Sequence, residues 1–402
     1  MLRQPLNTQV IIDQVYDWKV HALDCNTSPA LVLDMSQTGN QTMTIRPKMA
    51  WLSAVSIMSL LTACARNPTP QPTPTSPPLP NKLILYNWVD YMPQAVLDDF
   101  EREYGIKIIY ETFDSTEEAE EEMKAGKVFD VAVVENDGTP SLAAAGLLAR
   151  IDYGHMSNFK NISASFRDLL FDPGNRYSVP YNWGTTGLLV RSDLVDQPVT
   201  RWADLWDARY AGKIAMRAQP TESIGITLLS LGYPLNSENP AQLKAAQARL
   251  LKLKSAVKFV DVEAESAVAG LVSGDIFILV GWPGDELVAR SYNPAIQYIM
   301  PEDGAPLWGD SFVISANSPN QEAAGLFINY LLRPEVAAQI VHTYFYATAN
   351  EAALPLIKPE IRNDPVIYPD LERIKSTMWY LPLSPTGVQL YADVWAHTLG
   401  SD

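Results

Sequence analysis

Short apolar runs alternate with amphipathic segments along the chain from residue 83, and this alternation predicts an α/β fold. The run at 83–86 is typical of a strand buried on both faces. Residues 95–104 then carry apolar side chains at helical spacing. Repeated strand–helix units favour mostly parallel sheets with helices on both faces. Further predicted strands are 106–110, 129–134, 213–216 and 275–280, and further predicted helices are 117–127, 141–148, 202–206, 223–231, 241–253, 264–273, 321–332 and 336–342.

Two longer extended runs divide this pattern into two lobes. Residues 177–190 form one run that leaves the first lobe and enters the second, and 307–314 is the expected return crossing. Thr200 and Asn320 are the predicted caps of the helices that follow them. We expect the last sixty residues to pack back over both lobes. The predicted boundaries are 81–186 with 310–348 for lobe 1, and 187–309 with 349–402 for lobe 2.

The segment from Met43 to Cys64 resembles a bacterial lipoprotein signal. A basic flank precedes an apolar run at 50–61, which is too short to remain across a bilayer. The run ends in Leu-Thr-Ala-Cys, similar to the lipobox of that signal. The resemblance implies that 43–63 is a signal peptide and that Cys64 carries the lipid. A free cysteine after a short core helix is the alternative.

Residues 1–42 show no targeting pattern, although a signal must stand at the N-terminus. We therefore expect Met43 or Met49 to be the true start, with 1–42 an overrun or a disordered stretch. After Cys64 comes a segment with seven prolines between 67 and 80, which favours an extended polyproline-II conformation. We expect 64–80 to tether a globular part to the outer face of the cytoplasmic membrane, or within the periplasm.

Composition narrows the class of protein further. The chain has 402 residues, enough for two domains with cores of their own. Residues 1–63 carry four basic and four acidic side chains, so the net charge of −16 belongs to the remainder. Such an acidic surface argues against nucleic-acid binding. Two cysteines and four scattered histidines give neither a disulfide framework nor a zinc pattern. We expect a monomer with no cofactor, no metal and no catalytic residue.

Aromatic residues stand beside carboxylates at three separate places in the chain. These places are Trp88 with Asp90 and Tyr91, Trp282 with Asp285, and Trp308 with Asp310. The first two follow predicted strands, and ligands of open α/β sheets bind at the carboxyl ends of strands. An aromatic face with a carboxylate suits an organic cation. A core tryptophan followed by a solvated aspartate explains each place singly, but three such places favour a binding site.

The chain from about residue 82 onward resembles the spermidine/putrescine-binding proteins of bacterial ABC importers. The similar stretches follow in order along nearly all of that region. They are NWVDY (87–91), YSVPYNWG (177–184), WADLW (202–206), GWPGD (281–285), WGD (308–310), NYLLRPE (329–335) and FYATAN (345–350). The resemblance implies a two-lobed periplasmic-binding-protein fold of type II, with the polyamine in the cleft between the lobes and a membrane permease as partner.

The resemblance also implies roles for individual residues. Trp88 and Tyr91 would wall the methylene chain from the first lobe, with Trp282 and Trp308 facing them. Asp310 would bind an ammonium group. Asp90 and Asp285 match positions that take up the diamine in putrescine-preferring members. Glu222 matches an acidic position of the second lobe, and Tyr346 matches a tyrosine that contacts the ligand.

Three departures from the family pattern bear on ligand length. Gln219 stands where spermidine-preferring members have an Asp, and Tyr380 where they have a Gln. Residues 135–138 read Glu-Asn-Asp-Gly instead of a small hydroxyl residue with aromatics. The missing Asp favours a diamine such as putrescine, whereas Asp137 offers a carboxylate that would suit spermidine.

Other functions remain open on the sequence alone. The same fold could bind ferric ion, through Tyr344 and Tyr346, or a sugar stacked on tryptophan, or another organic cation. A lipid-anchored sensor would share the ligand and differ in partner. A carboxylate-dependent hydrolase is the enzyme alternative, but no nucleophile elbow, metal motif or phosphate loop supports it.

Overall fold

Strands and amphipathic helices alternate from residue 82 onward, as the hydrophobic pattern predicts. A computed structural model describes residues 79–113, 115–260, 265–369 and 378–399, all within one compact unit. The predictions for 1–78, including the signal, Cys64 and most of the tether, lie outside the described residues. None of the helices described combines the length and apolarity that a membrane-crossing helix needs.

The described residues contain the following strands and helices. The strands are β1 (Lys82–Trp88), β2 (Lys107–Phe113), β3 (Val131–Glu135), β4 (Ser178–Thr185), β5 (Gly187–Arg191), β6 (Ile214–Arg217), β7 (Val257–Val260), β8 (Ile278–Gly281), β9 (Ile296–Ile299), β10 (Pro306–Ile314), β11 (Ala347–Thr348) and β12 (Met378–Trp379). The α-helices are α1 (Gln94–Tyr104), α2 (Thr116–Lys124), α3 (Thr139–Ala144), α4 (Pro220–Ser230), α5 (Pro240–Lys254), α6 (Glu265–Ser273), α7 (Pro283–Tyr292), α8 (Gln321–Leu331), α9 (Pro334–Tyr344), α10 (Pro359–Arg362) and α11 (Pro385–Leu399).

Each lobe is built on one mixed sheet. The first runs in the order β11-β4-β10-β3-β1-β2 with β12 beside β10, and the second in the order β7-β6-β8-β5-β9. Parallel pairing holds for β1 with β2 and β3, and for β6 with β7 and β8. Next to the crossings, β4 and β5 pair antiparallel with their neighbours, and β10 pairs antiparallel with β3 and β4 but parallel with the short β12. The sheets, predicted to be mostly parallel, are thus parallel on one side and mainly antiparallel around the strands that adjoin the crossings.

Both faces of the first sheet are buried, because strand residues alternate between two cores. Leu83 and Leu85 pack into one core together with Phe100 of α1 and Phe327 of α8. Tyr86 points to the other face, where it packs with Phe113 and other apolar side chains. Helices therefore cover the sheet on both sides and leave its carboxyl edge open to the second lobe.

The chain crosses between the lobes at two adjacent places. The predicted run at 177–190 is divided at Thr186 into β4 of the first sheet and β5 of the second. The return crossing lies at 300–305, since β10 belongs entirely to the first sheet. Thr186 donates its backbone N–H to Pro306 (3.0 Å) and so joins the two crossings. β7 and β9 were not predicted from the sequence.

Several predicted helix ends are corrected by the structure. The predicted helix at 141–148 ends as α3 at Ala144, because Gly146 takes a left-handed φ of 72°. Residues 202–206 form a short 3₁₀ helix, and it is Asp204 that accepts the backbone N–H groups of Thr200 and Arg201. The predicted cap at Thr200 is therefore wrong.

The cap predicted at Asn320 is also absent. Asn320 stands at the N-terminal position of α8 without a capping hydrogen bond from its side chain. Its amide donates instead to Asp130 at 3.1 Å. That contact ties the start of α8 to the segment just before β3, inside the first lobe.

The last sixty residues join both lobes, and this shifts the predicted boundaries. Residues 353–367 place apolar side chains in a core with Trp183 of β4 and Val341 of α9, so they belong to lobe 1. Helix α11 packs against α4 and α5 in lobe 2. The prediction of 349–402 as part of lobe 2 is therefore wrong for its first part. Residues 306–309 likewise belong to lobe 1 through β10.

Candidate functional site

A cleft of about 1540 Å³ opens between the carboxyl edges of the two sheets. It exceeds the ~300–1,000 Å³ of most small-molecule pockets, as expected for a groove that runs between two lobes. All twelve residues predicted to contact a ligand, or to be possible contacts, line it. They are Trp88, Asp90, Tyr91, Asp137, Gln219, Glu222, Trp282, Asp285, Trp308, Asp310, Tyr346 and Tyr380.

The first-lobe end of the cleft is organised around Asp310 of β10. Its carboxylate is 5% exposed and accepts the Tyr91 hydroxyl at 2.6 Å. The Trp88 side chain donates a second hydrogen bond. Trp308 lies two positions before Asp310, so both side chains leave the same face of the strand. The pairing of β10 with β4 shifts register between Gly309 and Ser311, where β4 has two residues, Tyr181 and Asn182, opposite Asp310. This bulge lies in β4, so the alternation of side chains along β10 is kept.

The environment of Asp310 favours its protonated form when no cation is present. Burial raises the pKa of the Asp310 carboxyl to about 7. The hydrogen bonds from Tyr91 and Trp88 oppose this rise in pKa, whereas the nearby charge of Asp137 adds to it. A cation beside Asp310 would restore the ionised form. The site is therefore built to favour a positive ligand and to resist an anion.

The chain beyond β1 is held by tyrosines. Asp90 takes a left-handed φ of 48°, a conformation that Asp tolerates better than most residues. The Tyr110 hydroxyl donates to the Trp88 carbonyl at 2.6 Å, and the Tyr181 hydroxyl to the Tyr91 carbonyl at 2.8 Å. These bonds fix the turn so that Trp88 and Tyr91 both face the cleft, while Asp90 is exposed at its edge.

Four aromatic side chains form a continuous wall across the cleft. Trp308 makes edge contacts with Trp282 (ring centroids 6.4 Å apart) and with Tyr346 (5.4 Å), and Tyr346 packs against Tyr91 (5.5 Å). Trp282 follows β8 in the second lobe, whereas Trp308 belongs to the first sheet. The expectation that Trp308 faces Trp88 and Tyr91 from the opposite lobe is therefore corrected, because only Trp282 does.

Gly184 of β4 makes room for the Trp308 ring, and this allows a prediction. A Cβ atom at Gly184 would lie 2.3 Å from Trp308 Cζ2, so Gly184→Ala must displace the indole or the strand. We expect a loss of about 1–3 kcal/mol in the free energy of unfolding, measured by denaturant titration, with a changed near-UV tryptophan signal. Gly325→Ala in α8 is the control, since no atom lies within 4 Å of its new Cβ. Equal stability of the two variants would contradict the packing argument.

The second lobe contributes Glu222 from the first turn of α4. Glu222 is 7% exposed and accepts the Thr186 hydroxyl at 2.6 Å. Burial raises the pKa of Glu222, while hydrogen bonds from Thr186 and Trp282 and the positive charge of Arg217 oppose the rise. Glu222 thus touches the crossing between the lobes and the aromatic wall at once.

Asp285 is engaged by a residue that sequence reasoning missed. Its Oδ1 accepts a hydrogen bond from Arg217 Nη2 at 2.9 Å, and its Oδ2 accepts the Trp282 backbone N–H at 3.0 Å. The guanidinium also lies 4.0 Å from the centroid of the Trp282 ring. The signal was a lone arginine directly after the predicted strand at 213–216 and two residues before Gln219, but only the fold places it beside Asp285.

A second acidic region lies along the rim of the cleft, with carboxylates from both lobes. Glu135, Asp137 and Glu222 all act electrostatically on the Tyr380 hydroxyl, whose pKa burial and these charges raise. Neither that hydroxyl nor the Trp308 indole N–H has a hydrogen-bond partner among the described residues. Helix α2, interpreted from the sequence as a solvated face, also reaches the rim. It contributes Thr116, Glu120, Glu121 and Lys124 to the cleft lining.

Comparison with known proteins assigns the fold to a family. The family of bacterial extracellular solute-binding proteins matches residues 95–368. A spermidine/putrescine-binding periplasmic protein of Escherichia coli is 36% identical over 74% of this chain and 86% of its own length. A putrescine/agmatine-binding protein of Pseudomonas aeruginosa is 32% identical over 78% of this chain and 90% of its own length.

A solved structure agrees with this assignment. It is the spermidine/putrescine ABC transporter substrate-binding protein PotD of Streptococcus pneumoniae, in complex with calcium and HEPES. It superimposes with a TM-score of 0.70 at 33% identity and covers 80% of this chain and 99% of its own. Fold, length and sequence agree across both lobes, and this chain therefore belongs to the bacterial extracellular solute-binding proteins, in the family of the spermidine/putrescine-binding periplasmic proteins.

Proposed function

We propose that this protein captures a polyamine outside the cytoplasm, putrescine in preference and spermidine as the second candidate, and delivers it to an ABC importer. The observation that carries the proposal is the buried Asp310 carboxylate, held by Tyr91 and Trp88 at the end of an aromatic cleft. Its role is binding and presentation to a membrane permease, in line with its family, and not catalysis.

The charges in the cleft suit a flexible dication. A dication enclosed between the lobes loses its hydration, so each ammonium group needs a carboxylate. Asp310 serves one ammonium from the first lobe, and Glu222 serves the other from the second. The rings of Trp88, Tyr91, Trp308 and Tyr346 cover the methylene chain, and each cation–π contact adds about 0.5–2 kcal/mol.

Contacts at both ends of the ligand favour closure of the cleft. A ligand that touches residues of both lobes stabilises the closed arrangement over the open one, and only such differential contact shifts the equilibrium. Closure then presents a surface for the permease. The names of periplasmic relatives support an extracytoplasmic location, while lipid anchoring through Cys64 and a monomeric state remain predictions.

Calorimetric titration of the ligand-free protein tests the proposal. Putrescine, cadaverine, spermidine and spermine are titrated beside a neutral sugar and a ferric salt. We expect binding of putrescine with a dissociation constant at or below about 1 μM, equivalent to about −8 kcal/mol, and no heat from the sugar. A folded protein that binds no amine would refute the function, and a coloured ferric complex would favour the iron alternative instead.

A further inference from the structure

Arg217 places a fixed positive charge in the second-lobe wall of the cleft. It ends β6 at the carboxyl edge of the sheet, and its side chain is 4% exposed. Among the described second-lobe residues that line the cleft, the charged side chains are Arg217, Glu222 and Asp285. Building on the proposed polyamine site, we propose that Arg217 is a specificity-determining residue: it neutralises Asp285, so that the second-lobe end offers one net negative charge and accepts one ammonium group.

The contacts show that both carboxylate oxygens of Asp285 already have partners within the protein. Strand β6 lies beside β8 in parallel register, which brings the residue ending β6 next to the loop after β8. There Asp285 caps the start of α7 with Oδ2 and binds the guanidinium with Oδ1. A second guanidinium nitrogen donates to the Val280 carbonyl at 3.4 Å. Asp285 therefore has a structural partner on each carboxylate oxygen before any ligand arrives.

The guanidinium also occupies surface that a ligand would otherwise use. It lies 4.0 Å from the centroid of the Trp282 ring, within the range of a cation–π contact. That face of Trp282 is consequently covered by a cation that belongs to the protein. A second ammonium group approaching here would meet a covered ring and a neutralised carboxylate.

The consequence concerns which polyamine is preferred. A diamine has one ammonium for Asp310 and one for Glu222, and it needs no third carboxylate. A triamine or tetramine gains nothing from Asp285 while Arg217 holds it. Arg217 thus disfavours ligands that carry an additional ammonium group at the second-lobe end. It does so by neutralising Asp285, and the length of the cleft plays no part in this selection.

The test uses Arg217→Gln, which keeps an amide donor for Asp285 but removes the positive charge, in the full-length, ligand-free protein. We expect the affinity for spermidine to rise at least tenfold relative to that for putrescine, measured by calorimetry at low ionic strength. Arg217→Lys keeps the charge and is the matched control, expected to leave the ratio of the two affinities within threefold of the parent. An unchanged ratio in Arg217→Gln would overturn the proposal.

A double variant distinguishes neutralisation of Asp285 by Arg217 from direct contact between Asp285 and the ligand. Asp285→Asn alone leaves an uncompensated guanidinium and should weaken the binding of every amine at least tenfold. Adding Arg217→Gln removes that charge, so the double variant should bind putrescine within threefold of the parent. A double variant as weak as Asp285→Asn would mean that Asp285 contacts the ligand itself, and the proposal would be wrong.

The ion pair can also be measured without any ligand. If Arg217 neutralises Asp285, the two single variants should each lower the Tm of the ligand-free protein, and the double variant should lower it by less than the sum. Additive Tm changes would contradict the pairing. A parent protein that binds no amine would instead refute the proposed function, and the Tm cycle would still decide whether the pair exists.

Discussion

Asp310→Asn is expected to lower the affinity for putrescine at least about 100-fold. The carboxylate is buried and hydrogen-bonded to Tyr91 and Trp88, so an ammonium group bound there without its counter-charge would be left unpaired. Removing one partner of a buried charge pair costs about 3–5 kcal/mol, which corresponds to a factor of about 10² to 4 × 10³ in the dissociation constant. Calorimetric titration of parent and variant at pH 8 measures this difference.

A matched control separates this local effect from the loss of one negative charge. Asp98→Asn makes the same chemical change on α1, where Asp98 accepts a hydrogen bond from Gln94 at the exposed surface. We expect this control to bind putrescine within twofold of the parent. If Asp310→Asn binds within threefold of the parent as well, Asp310 is not the ammonium partner and the proposed site is wrong.

The same variant should be more stable than the parent when no ligand is present. The folded-state pKa of Asp310 lies near 7, above the value of about 3.9 expected in the unfolded chain. The folded state thus holds this proton more tightly, and the stability it confers is lost as pH rises from about 4 through 7. Asparagine carries no such penalty. We expect Asp310→Asn to unfold with a free energy larger by up to about 4 kcal/mol at pH 8, with the difference shrinking toward pH 4.

Polyamine affinity is expected to fall about 30-fold between pH 8 and pH 5.5. Below pH 7 Asp310 is protonated in the ligand-free protein, and the ammonium group must displace that proton. Alkylammonium groups stay charged over this range, as lysine does. The raised pKa of Glu222 acts in the same direction. Titrations at several pH values, in buffers with different enthalpies of ionisation, measure both the affinity and the protons released.

Asp310→Asn, which lacks the titrating carboxyl group, is the control for the dependence of affinity on pH. Asp310→Asn should show a flatter dependence on pH than the parent, while Asp98→Asn should follow the parent. Constant affinity of the parent from pH 5.5 to 8 would contradict the assignment of a proton to Asp310. It would leave the family and the fold untouched, because neither depends on that proton.

The positions of the aromatic–carboxylate pairs could be predicted in part, because an apolar run shows where a strand ends. A buried apolar run such as 83–86 requires a strand, and a parallel sheet brings the carboxyl ends of its strands to one edge. Trp88 and Trp282 could therefore be placed at strand ends before any coordinates. Their assignment with Trp308 to one cleft came from the family resemblance, and the lobe to which Trp308 belongs could not be predicted. The start of β10 and the crossing at 300–305 depend on pairing between distant segments, and no local pattern marks them.

The sequence by itself determined two α/β lobes, their order along the chain, and the residue types of a site for an organic cation, because these follow from local periodicity and strand ends. Only the tertiary structure decided the state of each charge. Asp310 has its raised pKa because the fold buries it, and Asp285 meets Arg217 because β6 lies beside β8. Electrostatic interactions depend on separation in space and on burial, and neither quantity can be read from positions along a chain.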